Sequence, residues 1–505
     1  MTVMGVSGTA QLMTQSLVDL RAQLDDLQRQ LSTGQKSETF AGLGVQRGLT
    51  VGLQSQLAAM GGFDDTITSV GTRLNVAQTA LQQIDQSTHT IKQTAIQSTF
   101  VIGQNGQTTD QQTAAGQLDQ TLAALNTRVG DSYIFSGMSP DKPSVETTDH
   151  VLNGNGAQAG FKQVLGERQQ ADGVGALGRL LIPAAVGSTV TISEDALNSP
   201  FGLKLASVTS GLTGGGTVSG PSGPPLNPNA ITVDLSGGNP ANGDTIKFSF
   251  NLPDGTTQDL TLTATSSATP GPNQFTIGAT TGATALNLQA ALQSGVAKIA
   301  DTSLYAASAM TAADNFFNVD ATHPPLRVNG PPATATSLIA GTSANTVTWY
   351  TGEAGATPAI NTATAVIDPS QSIAFGMRAN EQALRNTVEN FAVFAATSYS
   401  AVNPDAGDQY AAVTQRVAAN LDNPPGTQKV TDIEAQIASA QTSMTAAQSR
   451  HQQTSAILQN FLQSIEGVSN ERVGAQILTL QTQLQASLQT TALLSKLSIV
   501  NFIPA

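Results

Sequence analysis

The sequence contains no cysteine, which excludes disulfides, zinc–thiolate sites and cysteine nucleophiles. Aromatic residues make up only 4% of its 505 positions and charged residues 11%, against about 25% charged in ordinary soluble domains. The surface is therefore built mainly from Gln, Thr, Ser and Asn. Such a skin puts little long-range repulsion between copies and suits a chain that packs against neighbours. The scarce charge is unbalanced, with a net value of −13 and a pI near 4.6. No cluster of Lys and Arg offsets it, so a phosphate backbone or an anionic membrane surface is repelled. No apolar run reaches the length of a membrane span. The start, MTVMGVSGTAQLM, has no basic residue before Arg21 and no apolar core of signal-peptide length, so neither a cleavable signal nor membrane insertion is expected.

Recognisable catalytic spacing is also missing. His89, His150, His323 and His451 are far apart, and no H-E-x-x-H, P-loop lysine motif or Gly-x-Ser-x-Gly elbow occurs. Asp25-Asp26 and Asp64-Asp65 read as solvated or first-turn helix charges rather than an acid/base pair. Trp349-Tyr350 could form a carbohydrate-stacking platform, but a place in a core at a strand edge is the ordinary reading. His451 falls on an apolar stripe and reads as a seam position rather than a ligand. No catalytic, cofactor or metal residue is assigned, and no enzymatic activity is expected.

What the chain does have is helical periodicity at both ends. In the stretch Asp432–Leu488, free of proline, small or apolar residues recur at Ile433, Ile437, Ala440, Met444, Ala447 and His451, then at Val473, Ile477, Leu480, Leu484 and Leu488 beyond a break near Gly467. Steps of three and four residues mark one face of a helix. The other end mirrors this with Leu17, Leu20, Leu24, Leu27 and Leu31, followed by Val70, Leu74, Ala77, Leu81 and Ile84. A single apolar stripe cannot bury itself, so the two ends are expected to pair. A third helix is expected to carry Leu118, Leu122, Leu125 and Val129. Gly34 is placed to cap the first helix in left-handed conformation. Gly61-Gly62 is expected to interrupt the second.

Between the ends, composition shifts to Gly, Pro, Thr and Ala. Ile246, Phe248 and Phe250 alternate with polar residues up to the turn Pro253-Asp254-Gly255-Thr256, and Leu260, Leu262 and Ala264 alternate on the return, which predicts a hairpin. Ile231, Val233 and Leu235 suggest a neighbouring strand, and Leu288, Leu292, Val296 and Ile299 a helix. Gly214-Gly215-Gly216 and Gly223-Pro224-Pro225 read as loops or as a boundary between two lobes. The expected fold is α+β and multidomain: a long antiparallel helical rod or coiled coil of paired terminal segments, with a mainly β insertion at its distal end. Residues 1–40 and 466–505 form the halves of a terminal coiled coil. Residues 41–138 and 371–465 form the halves of a helical rod domain, and residues 139–370 the variable insertion. The rod core is expected to contain Val70, Leu74, Leu81, Ile84, Leu118, Leu122, Leu125, Ile433, Ile437 and Met444. The terminal stripes end in an apolar tail with Leu494, Leu497, Ile499, Val500, Phe502 and Ile503, which needs a partner surface.

These ends resemble the bacterial flagellin family. Leu27–Gly34 (LQRQLSTG) is similar to the family's LxxLSTG helix end, Ala41–Gly44 to its AGLAI segment and Gln78–Ile84 to AQTALxxI. Leu480–Ser487 (LQTQLQAS) and Leu497–Ile503 are similar to the terminal helix and its LSLxxxL ending. Within the family, Asp131–Gly137 (DSYIFSG), Trp349–Gly352 (WYTG) and Arg378–Glu381 (RANE) resemble segments of the hook-associated junction protein. Glu471–Ala475 departs from the family's DYA, and the long insertion keeps the filament subunit open as the alternative. The resemblance implies an extracellular structural subunit of the bacterial flagellum, secreted through the type III export apparatus and supporting motility. It also implies partnership with copies of itself, with other axial proteins (hook-associated protein and flagellin) and with an export chaperone. Leu17, Leu20, Leu24, Leu27, Leu31, Val473, Ile477, Leu480, Leu484, Leu488, Leu497 and Phe502 would pack terminal helices within and between subunits, and those helices would be disordered in the monomer. Two further readings are a secreted rod displaying an enzymatic insertion and a coiled-coil scaffold unrelated to flagella.

Overall fold

The computed structural model describes residues 4–103, 106–320 and 323–500. In chain order the helices are α1 (Met4–Thr33), α2 (Arg47–Gln97), α3 (Thr109–Leu125), α4 (Thr148–Asn153), α5 (Phe161–Asp172), α6 (Thr281–Asp301), α7 (Ser303–Phe317), α8 (Gln382–Ala396), α9 (Ala406–Asn420), α10 (Val430–Glu466) and α11 (Asn470–Val500). The strands are β1 (Arg128–Val129), β2 (Ser132–Tyr133), β3 (Leu180–Leu181), β4 (Thr189–Glu194), β5 (Lys204–Ser210), β6 (Thr217–Ser222), β7 (Ala230–Asp234), β8 (Thr245–Asn251), β9 (Thr257–Thr265), β10 (Gln274–Thr276), β11 (Leu326–Val328), β12 (Leu338–Ala340), β13 (Thr364–Asp368) and β14 (Gln371–Ala374). This is an α+β fold with long terminal helices and a β-rich middle. The chain divides into two compact units. One comprises Met1–Val70, Val366–Ser372 and Thr442–Ala505, and the other Gly71–Ala365 with Ile373–Gln441.

In the first unit, α1 and α11 lie antiparallel. Gln35 bridges Gly467 where α1 ends and α11 is about to begin, with Lys36 N–H on Glu466 O at 2.7 Å and Val468 N–H on Gly34 O at 3.0 Å. Gly34 takes φ +70°, which only glycine adopts without strain, and its N–H caps Gln30 O at 2.9 Å. The Lys36 ammonium donates to Ser464 O at 3.3 Å and Ile465 O at 2.6 Å, placing positive charge on the carbonyl end of α10. The first part of α2 runs antiparallel to the last part of α10: Gln54 reaches Glu466, Met60 reaches Ser455 and Asp64 reaches His451.

Helix α2 continues through Gly61-Gly62 for 51 residues. Two glycines cost about 1 kcal/mol each relative to alanine. Ile67 and Val70 are buried immediately beyond them, and burial of about 2 kcal/mol per large apolar side chain outweighs that cost. Helix α3 ends sooner than its stripe suggests. Asn126 exchanges two side-chain hydrogen bonds with the Val145 backbone at 2.8 and 2.9 Å, turning the chain so that Val129 lies in β1 rather than on α3. At its start, Thr108 and Gln111 form a reciprocal capping box.

In the second unit, Leu74, Ala77, Leu81, Ile84, Ile91 and Ala95 of α2 are buried together with Leu118, Leu122 and Leu125 of α3, Leu384, Val388, Phe391 and Phe394 of α8, and Ile433 and Ile437 of α10. The Thr88 and Thr387 hydroxyls join α2 to α8 at 3.3 Å. Its β region holds two four-stranded sheets, ordered β3-β4-β7-β6 and β10-β9-β8-β5. The β8–β9 hairpin pairs Ile246 with Leu262 and Phe248 with Leu260, the register its alternation demands. Ile231 and Val233 lie in β7, which pairs with β4 and β6 in the other sheet rather than beside this hairpin. Both sheets and α6 share one apolar core containing Ile192, Val233, Phe248, Phe250, Leu262, Leu288, Leu292 and Val296. The Asp172 carboxylate is fully buried but satisfied, accepting from Arg168 Nε at 2.7 Å, Gly202 N–H at 2.8 Å and Ser308 Oγ at 2.6 Å, the condition under which a buried charge persists.

Candidate assembly interface

The terminal helices present more apolar surface than their mutual pairing covers. On α1, Leu17, Leu20, Leu24 and Leu27 are half-buried and Leu31 is exposed; on α11, Val473 and Ile477 are buried, Leu480 and Leu484 half-buried, and Leu488 exposed. The Leu497 side chain and Phe502 lie outside the described residues. Leu12, Val18, Leu478 and Leu493 stand 55–72% exposed on the same two helices. Val45, Leu49 and Val51 near the start of α2, and Ile457 and Phe461 near the end of α10, are also exposed. Apolar side chains left exposed at this density mark a surface that excludes water by meeting another one. Between Val473 and Leu493, α11 carries no charged residue at all, so electrostatics offers nothing to hold a second helix off.

Met444 and Val70 are buried in the first unit, and Leu74, Leu81, Ile84, Leu118, Leu122, Leu125, Ile433 and Ile437 in the second. Thus each stripe position marked as rod core has its side chain out of water. His451 lies on this seam, 3% exposed; Asp64 sits within α2 rather than in a first turn, its side chain 34% exposed and 2.7 Å from His451 Nδ1. Nothing in the spacing of the sequence reveals that pair, because 387 positions separate the two residues.

In the second unit, three segments distant in sequence converge. Ser136 bridges Arg378, the Ala379 N–H reaches Phe135 O at 2.9 Å, and the Glu353 N–H reaches Ser136 O at 2.9 Å. Arg378 then donates to Gly355 O and Thr357 O, both at 2.7 Å, and pairs with Glu353. Trp349 is fully buried and its indole N–H donates to Phe317 O at 2.8 Å, so it offers no face to a sugar. Asp131–Gly137, Trp349–Gly352 and Arg378–Glu381 therefore build one structural knot.

Two cavities in this unit are lined partly by charged side chains. An open groove of about 920 Å³ is lined by Phe275, Asn287, Ser294, Lys298, Asp301 and Asp405. Lys298 pairs with Asp405 and Asp408, while Asp301 accepts from Asn403 and Gln409. Glu389 faces a second cavity, with Asp314 and Asn390; burial, aided by the charge of Asp314 and only partly opposed by Arg385, pushes its carboxyl up to about 8. Sequence reading passed over Glu389, which carries no motif. Among the described residues there is no cluster of three His, Asp or Glu side chains fit to hold a metal, and no helix long and apolar enough to cross a membrane.

A comparison with curated proteins finds no match. Residues 7–139 match the family model described as the bacterial flagellin N-terminal helical region. The matched span takes in most of α1, all of α2 and α3, the β1–β2 pair and the Asp131–Gly137 segment of the knot, so this part of the chain is similar to the N-terminal helical region of bacterial flagellins.

Proposed function

We propose that this chain is a self-assembling axial subunit of the bacterial flagellum, working at the hook–filament junction. The observation that carries the assembly reading is the incompletely buried apolar surface along α1 and α11, on a chain whose first 139 residues include the flagellin match. An isolated helical pair so poorly covered gains only part of the roughly 25 cal/mol per Å² that burial supplies. Copies of the chain, and the neighbouring axial proteins, would cover the rest. Export through the flagellar type III apparatus with a chaperone, and an extracellular location, follow from this role.

The junction reading is favoured by the knot: the three segments that resemble the junction protein form one hydrogen-bonded structure. The filament subunit is the second reading, favoured by the departure at Glu471–Ala475 and by the size of the insertion. Immunogold electron microscopy of intact flagella, with antibody against residues 139–370, tests both. A single band of label beside the hook is the expected result. Label along the whole filament makes the chain a filament subunit, and flagella without label overturn the flagellar reading.

A further inference from the structure

We propose that His451, Asp64 and Asp368 form a proton-operated latch that seats the turn Val366–Ser372 against helices α2 and α10. His451 projects from α10 and is 3% exposed. Its Nδ1 lies 2.7 Å from Asp64 Oδ1 on α2, and its Nε2 lies 3.6 Å from Asp368 Oδ2 at the end of β13. Each ring nitrogen thus faces a carboxylate from a different element. The buried Nε2 has no hydrogen-bond partner as placed. The other charged group at the site is Arg450 of α10, whose Nη2 lies 3.3 Å from Asp368 Oδ2 and donates to Gln371 Oε1 at 2.8 Å. The Phe63 ring on α2 closes one side, 5.9 Å from the imidazole, and Asp65 beside Asp64 is exposed.

A neutral imidazole has one N–H and one lone pair. Between two carboxylates it can satisfy only one, and its lone pair then faces the other. An imidazolium donates at both nitrogens and neutralises part of the acidic pair. Asp368 is fixed in its charged form, since the Ser370 N–H and then Arg450 hold its carboxyl below the usual range. Proton uptake at His451 therefore ties Asp64 of α2 and Asp368 of the turn to the same ring, and proton loss releases one of them. Seating of the turn is a proton-binding equilibrium: the latched state binds the extra proton, so it gains as pH falls.

The latch belongs to the single chain and does not depend on the assembly reading. Hydrogen-exchange mass spectrometry of the dispersed full-length chain tests it, with rates corrected for the intrinsic effect of pH. Protection of residues 366–372 should fall several-fold as pH is raised from about 5 to about 8. In H451Q the corrected protection should be the same at both ends of that range, and in D368N the step should shrink. A wild-type turn indifferent to pH, or a step of equal size in H451Q, overturns the latch. If H451Q fails to fold by circular dichroism, D368N decides: an undiminished step overturns the proposal and a diminished one supports it.

Discussion

Trp349 and Phe317 are joined twice: the indole N–H donates to the Phe317 carbonyl at 2.8 Å, and the two rings stand nearly edge to face with centroids 5.7 Å apart. Trp349 is the sole tryptophan of the chain and is fully buried. Replacing it with phenylalanine removes one of the two donors to the Phe317 carbonyl, leaving the Val319 N–H at 2.8 Å, and opens a space beside Phe317. The expected loss is about 2–4 kcal/mol, read by urea unfolding followed by far-ultraviolet circular dichroism. A loss below about 0.5 kcal/mol would mean that the indole is not packed as described. In the unaltered chain, tryptophan emission should be blue-shifted and should move red with this same transition.

Glu389 gives the second unit a pH dependence of definite sign. Its folded carboxyl titrates at about 8, against an ordinary 4.5, so the folded state holds a proton that the unfolded state has released. Stability from this group is complete below about pH 4.5 and declines as pH rises through about 8. The full effect is on the order of 5 kcal/mol. Denaturation midpoints measured between those limits should fall with pH in the wild type and stay level in E389Q. A wild-type midpoint that rises over that interval contradicts the assignment.

Gly61 and Gly62 occupy interior positions of α2, and a methyl group at either would meet open space. Alanine at either site should stabilise the helix by roughly 0.5–1 kcal/mol, chiefly by narrowing the unfolded ensemble. Thermal unfolding of the single variants would show it. A destabilised variant would mean that these glycines serve a close approach of a neighbouring subunit, or a bend, absent from the single chain.

Ile477 is one of the few buried positions of the α1–α11 pair, 9% exposed. Ile477→Asp should abolish assembly, measured by sedimentation of polymers. Unfolding of the second unit, to which Ile477 does not belong, should be unchanged. In the dispersed wild-type chain, amides of residues 11–33 and 470–493 should exchange rapidly, because half-buried leucines do not stabilise an isolated helix pair enough to hold it closed. Strong protection there would instead favour a free-standing coiled-coil scaffold.

Periodicity is local, and what depended on it was legible from residues alone. The α6 helix, the β8–β9 hairpin with its register, the Gly34 cap and the apolar stripes at both ends all follow from spacings of two, three or four residues and the steric demands of glycine. Helices α5, α7 and α9 were not found in that way: α7 is buried on most sides, with Tyr305, Ala306, Ala307, Ser308 and Ala309 all covered, so its pattern has no polar face to set a period. Helix α2 ran through two glycines because burial beyond them outweighed local propensity, and α3 stopped early because Asn126 found the Val145 backbone.

The sequence by itself determined that this chain has paired helical ends, a β-rich middle, a nearly uncharged skin and no recognisable catalytic spacing. Only the tertiary structure decided which carboxylates matter. Asp64, Asp172 and Glu389 are ordinary acids in one dimension; their differences come from what burial removes and what His451, Arg168 and Arg385 supply across folded space. Electrostatic environment depends on distance in three dimensions and on the exclusion of water, and no spacing along the chain encodes either.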